Sequence, residues 1–259
     1  MTLIVGILCS DGVVVASDSS ATYGSDGMST IGQQSIPKVR VISETLIYAS
    51  TGAVGMSQLI HGEIRDSWNA GAYKPLRSAE DYMDAVGKKI LNKIAPYLQS
   101  AQILRQLVGS ADGSLCKSLL AMPVGGKAHL FTFEYNGAPE EVSSEARFVS
   151  LGSGQPIADP FLAFMKRILW PDSLPSLQEG KLVASWAVRH VCATNPGGVG
   201  GQVQLATLTT KGGSAKARLV PEEDLAETEQ KIADAEQSFM RAIRSPELED
   251  AVSQPPEAP

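Results

Sequence analysis

A threonine stands directly behind the initiator methionine, and residues able to support it as a nucleophile follow at Asp18, Lys38, Gly52 and Ser153. Because its side chain is small, Thr2 is a residue that an aminopeptidase normally exposes by removing Met1. It would then carry both a hydroxyl and a free α-amine, whose ordinary pKa is about 8. Such an amine can act as general base for its own hydroxyl. Many chains begin Met-Thr, so the weight falls on the other residues. Asp18 closes the run Val14-Val15-Ala16-Ser17-Asp18, and a short hairpin returns that end to the chain start beside Thr2. Lys38 enters the next strand in Ile36-Pro37-Lys38-Val39. An ammonium near the hydroxyl holds its proton equilibrium and the developing negative charge, and a neighbouring carboxylate keeps it charged.

Two glycine-bearing turns complete the set. Thr51-Gly52-Ala53-Val54-Gly55 is a strand-to-helix junction, and free N–H groups at a helix start suit an oxyanion hole. Leu151-Gly152-Ser153-Gly154 sets a serine hydroxyl at another helix start, where its default role is an N-cap. Each residue has an ordinary alternative: a loop acid, a solvated lysine, a glycine for close packing. His61, His129 and His190 show no Ser/Asp or metal partner pattern and read as structural.

These residues need a scaffold. Leu3–Leu8 and Val13–Ser17 read as a hairpin around Ser10-Asp11-Gly12, and Val39–Ile42 with Leu46–Ser50 as a second one. The polar, Gly/Ser-rich stretch Asp18–Ile36 reads as an irregular connection. Gly52–Ala70 shows helical spacing through Met56, Leu59, Ile60, Ile64 and Trp68. Ser78-Ala79-Glu80-Asp81 starts a second helix like a capping box, with Tyr82, Val86, Ile90, Ile94 and Leu98 four residues apart. Strands are expected at Ser118–Met122, Ala128–Tyr135 and Ala146–Leu151, helices at Pro156–Leu169 and Leu177–Ala193, and strands at Val203–Thr209 and Ala215–Val220. Blocks of antiparallel strands with helices in separate blocks predict a layered α+β fold, two sheets face to face with helices outside. Residues 1–220 form that domain. Residues 221–244 carry a thin apolar stripe (Leu225, Ile232, Phe239, Ile243) suited to a packing helix. Residues 245–259, with four prolines and four acids, read as a disordered tail.

Composition narrows the class. The 259 residues are 43% hydrophobic and 19% charged, as for a folded globular protein, and a net charge of −6 argues against nucleic acid as a partner. Cys9, Cys116 and Cys192 form no paired motif, which fits buried thiols in a reducing compartment. The apolar run after Leu3 lacks a preceding basic residue and is short of the roughly 7–15 residues of a signal segment. No stretch approaches the ~20 apolar residues of a membrane span, so a cytoplasmic protein without membrane contact is expected.

Taken in order, Thr-x-x-Val-Gly, Asp-Gly-Val-Val-Val-Ala-Ser-Asp, Lys-Val-x-x-Ile, Thr-Gly-x-x-Gly and Gly-Ser-Gly resemble the β-type subunits of proteasomes and the related bacterial ring peptidase, over roughly Thr2 to Thr209. These are threonine proteases of the N-terminal-nucleophile hydrolase class. The resemblance implies a four-layer αββα sandwich and peptide-bond hydrolysis by Thr2. Asp18 and Lys38 would be the supporting ion pair, Gly52 N–H an oxyanion donor, and Ser153 a partner near the α-amine. The backbones of Thr22 and Gly52 would hold the peptide as an added strand, while Ala21, Ser50 and Val54 line the pocket for the side chain before the scissile bond. Those three residues hint at a medium-sized apolar preference. The resemblance further implies a homo-oligomeric double ring of 12 or 14 subunits, a peptide or unfolded-protein substrate and an ATPase unfoldase partner, with no metal or organic cofactor. Its rivals are a small-molecule amidase or acylase of the same fold, and a ring scaffold whose site has decayed. One departure favours the last. Where proteasome subunits carry Asp-x-x-Ser, this chain reads Thr194-Asn195-Pro196-Gly197-Gly198-Val199. The connection between Asp18 and Lys38 is also a few residues longer, and the segment after Pro221 fits neither family core.

Overall fold

The computed structural model describes residues 1–25, 28–108, 115–194, 198–210 and 214–244. They fall into two compact units that divide between Val220 and Pro221. The first unit opens with the expected hairpin of β1 (Ile4–Cys9) and β2 (Gly12–Asp18), paired antiparallel with Ile4 opposite Ser17 and Cys9 opposite Gly12. β1 also pairs with β10 (Phe148–Leu151), and β2 with β11 (Val203–Thr209), which in turn pairs with β12 (Lys216–Leu219). This central position leaves every residue of β2 buried. The second sheet runs in the order β5 (Val39–Ile42), β6 (Leu46–Gly52), β7 (Cys116–Val124), β8 (Lys127–Phe133) and β9 (Pro139–Glu141).

The alternation along β6 shows how the layers form. Leu46 and Tyr48 join a core with Ile60 and Ile64 of α1 (Val54–Asn69) and Ile90 and Ile94 of α2 (Ala79–Val108). Ile47 and Ala49 point the other way, into a core shared with Ile4, Val13 and Val15 of the first sheet. A strand that alternates its side chains between two covered faces must be apolar on both. On the far side of the first sheet, α4 (Leu177–Thr194) buries Val183, Ala184, Ala187, Val188 and Val191, and α3 (Gln155–Leu169) buries Ala158, Leu162 and Met165. The result is the four-layer αββα sandwich.

Two helices start on side-chain caps. Ser78 Oγ accepts from Asp81 N at 3.1 Å at the head of α2. Ahead of α4, Ser176 and Glu179 exchange the two bonds of a capping box, 3.3 Å and 2.7 Å.

Two expectations are corrected. Asp18–Ile36 is not irregular: β3 (Ser20–Ser25) and β4 (Met28–Ser35) pair as an antiparallel ribbon with irregular register. Ladder bonds between backbones need no apolar alternation, so this Ser/Thr/Gly-rich sequence hid the ribbon. The first helix begins at Val54 rather than Gly52, because Gly52 still belongs to β6. The three-residue edge strand β9 also had no readable pattern.

In the second unit α5 (Glu222–Ile243) opens on Glu222, Glu223 and Asp224, a charge arrangement that favours a helix N-terminus. Its expected packing stripe is not covered throughout: Ile232 is buried, but Phe239 and Ile243 are exposed. The Ser245–Pro259 segment lies outside the described residues. Among the described residues no helix is long and apolar enough to cross a membrane.

Candidate active site

The β1–β2 hairpin carries Asp18 back to the start of the chain. Its fully buried carboxylate accepts three backbone N–H groups, from Leu3 at 2.9 Å and from Ser20 and Gly200 at 3.2 Å each. Lys38, at the head of β5, completes the pair. Its Nζ lies 2.9 Å from each carboxylate oxygen and donates to Thr2 Oγ1 at 3.2 Å. Burial pulls the Lys38 ammonium below its ordinary value, while the Asp18 charge opposes the fall.

The backbone of Lys38 is held in turn by Gln204 of β11. The carboxamide oxygen accepts from Lys38 N at 2.7 Å and Val39 N at 3.3 Å, and its NH2 donates to Ile36 O at 2.6 Å. Sequence reading missed Gln204. The signal was present as an amide between Val203 and Leu205 near the start of β11.

Thr2 is fixed from the other side by the turn after β10. Ser153 Oγ accepts from Thr2 N at 3.1 Å, and Gly154 N donates to Thr2 O at 3.2 Å. The N-cap of α3 is Gly154, with no side-chain cap bond, so Ser153 is not spent on capping. Gly152 has φ +103°, and a Cβ there would lie 2.2 Å from Thr2 O. Only glycine permits this close approach.

Gly52, with φ +111°, ends β6. Its neighbour Ala53 N donates to Leu115 O at 2.8 Å, while Gly52 sits opposite Cys116. Antiparallel ladders alternate bonded and non-bonded pairs, so the Gly52 N–H points away from β7. Between these elements lies a cavity of about 110 Å³, lined by Thr2, Ala21, Lys38, Ser50, Gly52 and Val54 among others. Thr22 lies within β3, and its side chain is outside what the structure describes. The same cavity is lined by Arg40, Ser57 and Gln58, which sequence reading did not assign. They make it more polar than Ala21, Ser50 and Val54 alone suggest. Their pattern was legible in part: Val54, Ser57 and Gln58 share one face of α1, and Arg40 lies two residues after Lys38 on one strand face.

Met1 precedes the group in the chain. Its carbonyl oxygen accepts from Thr2 Oγ1 at 2.7 Å and Lys38 Nζ at 3.1 Å. While Met1 is attached, Thr2 N is a peptide nitrogen and cannot act as a base.

At the departure noted in the sequence, residues 195–197 lie outside the described residues. Thr194 Oγ1 bonds back to His190 O at 2.7 Å, and the next contribution to the site is the Gly200 N–H on Asp18. Cys192 lies near the ion pair, and burial together with the Asp18 charge pushes its thiol up to about 11. His61 stacks at a tilt on Tyr48, His129 meets Glu141 at 2.6 Å, and His190 stacks on Phe161. Among the described residues no group of three His, Cys, Asp or Glu side chains is placed to hold a metal ion.

This arrangement can be compared with known proteins. The family model for the proteasome subunit matches residues 2–199. A proteasome subunit beta from Ferroglobus placidus is 27% identical over 157 residues, 61% of this chain and 65% of its own length. One from Archaeoglobus fulgidus is 28% identical over 126 residues, 48% and 56% of the two chains, so less than two thirds of either relative is spanned. One from Methanothrix thermoacetophila is 27% identical over 208 residues, 80% of this chain and 87% of that protein. Among solved structures, Anbu (ancestral beta-subunit) from Yersinia bercovieri superposes with a TM-score of 0.66 at 16% identity, covering 94% of this chain and 97% of that one. An Anbu (Gly-1) mutant from a Hyphomicrobium strain gives 0.62 at 16% identity, covering 95% and 100%. The structural likenesses carry the fold, and the sequence match carries the kinship: this chain belongs to the proteasome subunit family.

Proposed function

We propose that the chain is a threonine-type endopeptidase subunit in which Thr2 is the nucleophile once the Met1–Thr2 bond has been cut. The reading rests on one observation: a buried Lys38–Asp18 pair lies within hydrogen-bonding distance of the Thr2 hydroxyl while Ser153 holds Thr2 N. The freed α-amine takes the Oγ1 proton as Oγ1 attacks the scissile carbonyl carbon. Lys38 stabilises the negative charge on the nucleophile, and the Gly52 N–H receives the oxyanion. Collapse of the tetrahedral species breaks the C–N bond, and the proton held by the α-amine passes to the departing amine. Water, deprotonated by the same α-amine, then cleaves the ester and restores Thr2.

The cavity beside Thr2 suits one side chain of a peptide held as an added strand, and loss of Met1, which lines it, would widen it. Family kinship supports a homo-oligomeric double ring of 12 or 14 subunits that admits unfolded chains, in the cytoplasm, with an ATPase unfoldase as a possible partner. The decisive experiment pairs intact mass of the N-terminus with Thr2→Ala. The expected result is a mature chain starting at Thr2, peptidase activity and covalent labelling by a threonine-directed electrophile, both lost in Thr2→Ala. Retained Met1, or activity surviving the substitution, would overturn the mechanism.

A further inference from the structure

The cavity beside Thr2 holds a cation, Arg40, with no counter-charge among the described residues. Arg40 lies two residues beyond Lys38, and residues two apart along a strand share a face, about 7 Å from each other. Lys38 reaches the Thr2 hydroxyl, so Arg40 reaches the wall of the same cavity one side chain further in. The Lys38 charge is answered by Asp18 at 2.9 Å. Among the described residues no carboxylate lines the cavity, and none lies within ion-pair distance of Arg40. Opposite it, α1 turns Val54, Ser57, Gln58 and His61 to one side at helical spacing, so the facing wall is mostly polar. Ser50 Oγ and Ser57 Oγ meet at 2.5 Å at its rim. Burial and the nearby Arg40 charge both hold His61 below its ordinary value, consistent with a guanidinium reaching towards this helix face.

We infer that this pocket selects an acidic side chain, glutamate or aspartate, immediately before the scissile bond, with Arg40 pairing its carboxylate and Gln58 and the Ser50–Ser57 pair supplying further hydrogen bonds. The inference rests on the peptidase reading and replaces the medium-sized apolar preference suggested by Ala21, Ser50 and Val54. A half-buried guanidinium binds a carboxylate in a bidentate fork that a neutral amide cannot match. An apolar side chain in the same place would leave Arg40 and Gln58 unpaired, which costs binding.

The test has two arms, both on the full chain. In the first, the mature protein hydrolyses blocked tetrapeptides that differ only in the residue before the cleaved bond: Glu, Gln, Leu or Lys. The expected result is a kcat/KM for Glu at least about tenfold above Gln and Leu, falling to the Gln level in Arg40→Met and inverted towards Lys in Arg40→Glu. In the second, the Thr2→Ala chain, which cannot turn over, is titrated with blocked tetrapeptides ending in the same four residues. Glu should bind about tenfold tighter than Gln, with an advantage that shrinks at high salt and in Arg40→Met. A preference for Leu or Lys, or a ranking that Arg40→Met leaves unchanged, would overturn the assignment. Turnover that depends on Thr2 without acidic preference would remove the pocket assignment alone. Arg40-dependent binding of the Glu peptide without turnover would remove the peptidase reading and leave the pocket. Neither binding nor turnover on any peptide would sink both.

Discussion

The Asp18 carboxylate meets Lys38 Nζ with both oxygens at 2.9 Å, and both side chains are nearly inaccessible to water. Each makes the other tolerable. Asp18 also has three backbone N–H donors of its own, whereas the charge of Lys38 has no other anionic partner among the described residues. The two partners are therefore unequal in what their loss exposes. Asp18→Ala should destabilise by about 3–5 kcal/mol, the cost of an uncompensated buried charge. Lys38→Met should cost less, about 1–3 kcal/mol, because the carboxylate keeps its backbone donors. Denaturant unfolding of both variants would check the order, and equal losses would contradict it.

The same pair sets the pH dependence. In the proposed mechanism the mature Thr2 acts as base through a deprotonated amine; at this end of the chain burial and the Lys38 charge hold the Met1 amine below its ordinary value of 8.0. kcat/KM should therefore rise with pH as the α-amine of a mature Thr2 loses its proton. It should fall again as Lys38 loses its proton, below the ordinary 10.5. Asp18 raises both groups by its charge, so Asp18→Asn should move both limbs to lower pH. A pH–rate profile of the two proteins reads this directly; a shift to higher pH would refute the assignment.

Gly152→Ala should damage stability and activity together. Its φ of +103° strains any other residue by roughly 1–2 kcal/mol, and the new Cβ must displace Thr2 O, 2.2 Å away. The adjacent Ser153→Ala carries no such strain. It should leave the unfolding midpoint nearly unchanged and reduce kcat by about 10²-fold with little change in KM, since the proton path at the amine loses its partner.

Gln204 acts on Lys38 through the backbone. Gln204→Leu removes three hydrogen bonds between β11 and the segment entering β5, at a cost of roughly 1–3 kcal/mol. The expected kinetic signature is a lowered kcat with a displaced alkaline limb. Gln204→Glu, which keeps the acceptor for Lys38 N and Val39 N, should recover part of the rate. No recovery would mean that Gln204 serves packing only.

Much of this was readable before any coordinates. The strand run Leu46 to Ala49, the helical spacing of Met56, Ile60 and Ile64, and the capping residue Ser78 are local signals, because backbone periodicity and cap bonds act within a few residues. The order of Thr2, Asp18, Lys38, Gly52 and Ser153 was likewise legible, and together with the hairpin geometry it named the group. The β3–β4 ribbon was not, since pairing through backbone bonds leaves no mark in a polar sequence.

The sequence by itself determined which residues could do chemistry and the layered α+β fold that would hold them. Only the tertiary structure decided what surrounds them. Thr2 and Ser153 are 151 positions apart, and Lys38 and Gln204 are 166 apart, yet each pair is joined by a hydrogen bond. Distances across sheets depend on register and on the packing of distant side chains, and no local pattern records them. The same reason hid Arg40: its type is plain in the sequence, but a surface arginine and one that lines a pocket differ only in what folds against them.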